Sequence, residues 1–109
     1  MTPCLCLVQE GQIPDEVQTS IRNALSALSE RAFGHPAEFS WREVRSGSGF
    51  TAAKPSTSSI VSLVAHKALS QSERVPLLEE VCDIWMRETN CSIDEVVASI
   101  NDPAPVTGD

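Results

Sequence analysis

The sequence predicts an α+β fold: two consecutive β-α-β units forming one four-stranded sheet with both helices on one face. Three observations carry that expectation. Short apolar runs at 4–9 (CLCLVQ) and 60–65 (IVSLVA) each precede a stretch with helical periodicity. Each such stretch is followed by another short strand-like segment, at 38–45 and 96–100. The two halves superpose at an offset of roughly 57 residues, with Pro14 falling near Gln71 and Glu38 near Glu95, as an internal repeat would.

Each element follows from local chemistry. The first strand ends at Glu10-Gly11, and Pro14 opens a helix whose first turn carries Asp15 and Glu16, favourable to its dipole. Val17, Ile21, Ala24, Leu25, Leu28 and Ala32 form one apolar stripe, and Gly34 and Pro36 end it. Residues 38–45 (EFSWREVR) alternate weakly and read as the second strand, and 46–59 as a long polar loop. Ser70 and Glu73 make a capping box for the second helix, whose apolar face is Leu77, Leu78, Val81, Cys82 and Trp85. Ser92 and Glu95 make a second, shorter box before the last strand, VVASI at 96–100. Residues 1–101 are expected to be a single domain with repeat halves 2–45 and 58–101, and 102–109 to be a tail. Two helices cover only one sheet face, so the bare apolar face predicts self-association.

Composition narrows the function. The chain has 109 residues and a formal net charge of −7, with 15 acidic and 8 basic residues. No basic face for nucleic acid is present. No stretch approaches the ~20 apolar residues of a membrane span. The N-terminus lacks the basic start and apolar block of a signal peptide, so a cytoplasmic protein is expected. Cys4, Cys6, Cys82 and Cys91 then read as free thiols. Neither His35 nor His66 has zinc-ligand spacing to a cysteine, so no metal is expected, and no cofactor is implied. The first strand starts at the extreme N-terminus, which places an α-amino group, of ordinary pKa about 7.7–8.0, at the end of the sheet. Burial or a nearby cation lowers that value and makes the amine a usable base or nucleophile.

In the order and spacing of these features the chain resembles the tautomerase superfamily, most closely its malonate semialdehyde decarboxylase and cis-3-chloroacrylic acid dehalogenase branches. The match runs through the strand into Glu10-Gly11, Ala32-Phe33-Gly34 followed by Pro36-Ala37, Ser70-Gln71-Ser72-Glu73, and Ser92-Ile93-Asp94-Glu95-Val96. It covers residues 2–101. The resemblance implies the double β-α-β fold, a homotrimer whose sheets line a barrel, and chemistry at an N-terminal proline exposed by methionine removal. Counting back from Glu10-Gly11, the position of that proline holds Thr2, and proline follows at Pro3. Three states are open: a free amine on Thr2, a free amine on Pro3, or retention of Met1 with no catalytic amine.

The resemblance also implies the other site residues. Lys67 stands at one of two arginine positions after the third strand of the repeat, Leu69 replaces the other, and His66 sits where the dehalogenases tend to place an arginine. Glu38 falls near the acidic residue that polarises water in the decarboxylases, and Trp41 and Arg42 are wall residues from the second strand. The expected catalytic set is therefore Thr2, Pro3 and Glu38, with His66, Lys67, Trp41 and Arg42 binding the substrate. The expected activity is a weak or altered enol–keto tautomerisation, decarboxylation or hydration of a small oxo acid. The alternative is a catalytically inactive homotrimer.

Overall fold

The computed structural model describes residues 1–104; residues 105–109 of the expected tail lie outside the described residues. The chain order is β1 (Thr2–Gln9), α1 (Asp15–Phe33), β2 (Ala37–Val44), β3 (Phe50–Thr51), β4 (Lys54–Pro55), β5 (Ser59–Val64), α2 (Gln71–Thr89), a 3-10 turn (Ile93–Glu95) and β6 (Val96–Asn101). Four strands form one sheet in the order β2-β1-β5-β6. The β1–β2 and β5–β6 pairs are parallel, as helical crossovers require, and β1 and β5 are antiparallel at the centre.

The helices begin and end for identifiable reasons. Pro14 sits extended at the α1 N-cap, and its carbonyl accepts from Val17 and Gln18. Gly34 closes α1 at φ 77°, its N–H donating to the Glu30 carbonyl. That left-handed position is nearly free for glycine and costs most other residues. Both capping boxes form: the Ser70 hydroxyl accepts from the Glu73 N–H while the Glu73 carboxylate accepts from the Ser70 N–H, and Ser92 and Glu95 do the same. The second box leads first into one 3-10 turn and then into β6.

Strand alternation divides the sheet into two faces. One face carries Thr2, Cys4, Cys6, Val8, Val61, Leu63 and Ile100, all buried with Ile21, Leu25, Leu28, Val81, Ile84 and Trp85 of the helices. Cys4 and Cys6 therefore belong to the core, their sulfurs 4.0 Å apart, and all four cysteines are unpaired. The other face carries Pro3, Leu5, Glu38, Ser40, Arg42, Ile60 and Val97, all exposed.

The segment 46–59, expected as a loop, contains a two-residue hairpin, β3–β4. It turns through Ala52 and Ala53, both left-handed at φ 52° and 61°. Two consecutive positive φ values are the conformation that tight hairpins favour, ordinarily with Asn-Gly. Asp102, at the start of the expected tail, is anchored: its carboxylate accepts from the Leu69 N–H at 3.0 Å and pairs with Arg74 at 2.7 Å.

Candidate functional site

Several of the candidate residues gather at the N-terminal end of β1, and the topology dictates which of them meet there. Because β2 runs parallel to β1, with Thr2 opposite Ala37, the turn just before β2 lies beside Thr2. The Thr2 N–H donates to the Pro36 carbonyl at 2.9 Å. Because β5 runs antiparallel to β1, its C-terminal end reaches the same place, and His66 follows it. Thr2 Oγ1 lies 3.1 Å from His66 Nε2. The His66 ring stacks on His35, centroids 4.3 Å apart and planes 17° apart, with the Phe33 ring 6.2 Å away.

Partial loss of solvation, then the neighbouring His35, then the chain's amino terminus hold the His66 imidazole below the ordinary histidine range. His66 is accordingly neutral at pH 7. The Thr2 side chain is fully buried, and its one hydrogen bond among the described residues is with His66. The Thr2 hydroxyl donates to Nε2 when the neutral ring carries its proton on Nδ1, and accepts from Nε2–H in the other tautomer.

Pro3, Glu38 and Arg42 form a second group on the open face. Pro3 and Glu38 are register partners across β1 and β2. Pro3 and Arg42 line a recess of about 360 Å³ together with Leu5, Ser40, Ser62 and Val64. Ser62 Oγ lies 2.7 Å from Ser99 Oγ and accepts from Asn101 at 3.1 Å. Among the described residues Arg42 makes no ion pair. Lys67 follows His66 on the surface, where its charge helps hold the Glu73 carboxyl low, after the larger effect of the Ser70 hydrogen bonds.

Trp41 is apart from both groups. It points to the helix side, stacked on Trp85 with centroids 5.9 Å apart, and Arg22 lies 5.3 Å from its ring centre. Adjacent strand residues face opposite ways, so Trp41 and Arg42 cannot line one wall within a protomer.

His35 was not among the expected site residues, although a signal for it existed. A parallel β-α-β crossover always brings the residues preceding β2 beside the start of β1. Ser29, fully buried on α1, donates to the His35 carbonyl at 2.6 Å and pins that turn.

Among the described residues no cluster of three or more histidine, cysteine or acidic side chains is placed to hold a metal. The Cys6 thiol is pushed far up by its hydrogen bond with Cys4 and by burial, and stays protonated. A larger groove of about 450 Å³ between α2 and β6 is lined by residues such as Leu78, Cys82, Met86 and Ile93, with no imidazole, hydroxyl or cation in its wall. Among the described residues no helix is long and apolar enough to cross a membrane.

No protein-family model and no curated protein matches the sequence. Solved structures do match in shape. The native crystal structure of Ps01740 superposes with a TM-score of 0.87 at 22% identity, over 98% of this chain and 97% of that one. N1, a member of the cis-3-chloroacrylic acid dehalogenase family, gives 0.83 at 13% identity, over 93% and 74%. A fused 4-OT wild-type symmetric trimer gives 0.76 at 15% identity, over 93% and 85%. At these identities the likeness is one of architecture: the chain has the double β-α-β fold of tautomerase superfamily structures.

Proposed function

We propose that this protein is a tautomerase superfamily member that carries out weak enol–keto tautomerisation, or decarboxylation or hydration, of a small oxo acid at the N-terminal end of β1. The observation that carries the reading is the convergence of Thr2 and His66 there, 3.1 Å apart, with the Thr2 nitrogen held by the Pro36 carbonyl. Once Met1 is removed, the Thr2 nitrogen is a primary amine with a fixed partner and a usable lone pair. It serves as base, or forms a Schiff base with a carbonyl substrate. His66 Nε2 accepts a hydrogen bond from the Thr2 hydroxyl and so keeps that hydroxyl from competing for the lone pair. Lys67 supplies positive charge for the substrate carboxylate. It is a point charge rather than a bidentate fork, which fits weak binding. Pro3, Glu38 and Arg42 are read as the wall on the barrel side.

A homotrimer is part of this reading. Leu5, Ile60 and Val97 stand exposed on the face opposite the helices, and a fused 4-OT structure of the same fold is a symmetric trimer. A cytoplasmic location is supported by four cysteines left unpaired. The second reading, an inactive trimer, is favoured by the complete enclosure of the Thr2 side chain and by Thr2 and Leu69 standing where the resemblance expects proline and arginine.

Turnover of phenylenolpyruvate by protein whose N-terminus has been determined by intact mass tests the choice. Thr2→Pro is expected to raise a low wild-type rate by one or more orders of magnitude, since pre-positioning a reacting group contributes several kcal/mol. The companion Thr2→Pro/Pro3→Leu controls for the Pro-Pro start. If both variants are processed, trimeric and no faster than the parent, the inactive reading stands.

A further inference from the structure

We propose that His35 is a positioning residue, whose ring stacks on His66 and holds the His66 Nε2 against the Thr2 hydroxyl. This rests on the reading of the β1 end as the site. Three observations support it. The two rings are nearly parallel, 17° apart with centroids 4.3 Å apart, so one fixes the plane of the other. The His35 backbone is itself fixed, because its carbonyl accepts from the buried Ser29 hydroxyl at 2.6 Å and the adjoining Thr2–Pro36 hydrogen bond closes the turn. His66, by contrast, stands in an irregular segment past the end of β5, and its one side-chain hydrogen bond among the described residues is with Thr2. Stacking supplies the constraint that the loop itself lacks.

A ring held in this way has a defined tautomer. Nε2 accepts from Thr2, so the proton of the neutral ring sits on Nδ1. The arrangement also specifies a direction of titration. The groups acting on His66 are His35 from the turn before β2 and the amino terminus from β1, Phe33 of α1 contributes only an apolar ring, and Lys67 adjoins it in the same loop. No carboxylate is among the groups that shift it. Positive charge on His35 at this separation opposes protonation of His66.

The chain has only two histidines, so nitrogen and proton NMR of the full protein reads both directly. In the parent, His66 is expected to titrate below the ordinary histidine midpoint and to carry its neutral proton on Nδ1. His35→Phe keeps an aromatic ring in the stack and removes its charge. There the midpoint is expected to move up while the Nδ1–H tautomer is retained. His35→Ala removes both, so the midpoint moves up and the tautomer preference is lost. A parent His66 protonated on Nε2 would overturn the proposal. So would an unchanged midpoint and tautomer in His35→Ala, or loss of the tautomer in His35→Phe. None of these readouts needs turnover. A protein that shows the expected shifts and no oxo-acid activity would keep the histidine pair and lose the function proposed above.

Discussion

The two faces of the sheet are made by the same strands and do different work. The helix-side face is saturated: Cys4, Cys6, Val61 and Leu63 are 0–2% exposed and pack on both helices. The open face alternates with it residue by residue, yet keeps Leu5, Ile60 and Val97 at 37–55% exposure, with Phe50 of the hairpin at 64% beside them. A face destined for water would carry polar side chains at those places. The contrast teaches that the chain's own stability is settled on one face, whereas the other keeps the apolar side chains on which the proposed trimer rests. The proposed site sits where the two faces meet, at the end of β1. There Thr2 turns inward to His66 and Pro3 turns outward to the recess.

Three substitutions sharpen or break that contrast. The largest effect belongs to the closed face. Trp85→Ala removes a side chain that is 1% exposed and stacked on Trp41. A loss of about 3–5 kcal/mol in denaturant unfolding is expected from the void it leaves. A loss below about 1 kcal/mol, the level of an ordinary surface change, would contradict the division of labour. Next is the open face. Leu5→Glu should leave secondary structure intact and abolish assembly, so that light scattering returns a mass near 11.8 kDa. Unchanged assembly would mean this face is not the contact surface. The smallest effect is at the anchor of the last strand. The Leu69 N–H holds the Asp102 carboxyl below its ordinary value, opposed by burial and aided by Arg74. A carboxylate with a lowered folded pKa contributes stability above its unfolded value, about 3.9, and loses it as pH falls through the lowered one. Asp102→Asn is therefore expected to melt lower than the parent at neutral pH, with the gap closing below about pH 4.

Much of this was legible in the sequence because it rests on local rules. The stripe from Val17 to Ala32, the stop at Gly34 and the boxes at Ser70–Glu73 and Ser92–Glu95 are written in adjacent residues, and each is found. What escaped depends on space or on exceptions. The β3–β4 hairpin turns through two alanines in a conformation that sequence reading reserves for asparagine and glycine. Ile84 joins Trp85 in the α2 core although it lies outside the stripe of Leu77, Leu78, Val81, Cys82 and Trp85 that the spacing predicts. His35 meets His66 only because a parallel crossover folds the turn back onto β1. Trp41 and Arg42 are neighbours in sequence, yet period-two alternation puts them on opposite faces, Trp41 against Trp85 and Arg42 in the open recess.

The central claim is that a free amine at the end of β1 does the chemistry, and the state of Met1 decides it. Phenylenolpyruvate turnover should be compared between two preparations of the wild-type chain that intact mass shows to differ only in carrying or lacking Met1. With Met1 present the Thr2 nitrogen is an amide donating to Pro36, and it has no basic lone pair. The account expects turnover only in the preparation lacking Met1, falling with the proportion of chains that retain it. Equal turnover in both preparations would contradict it.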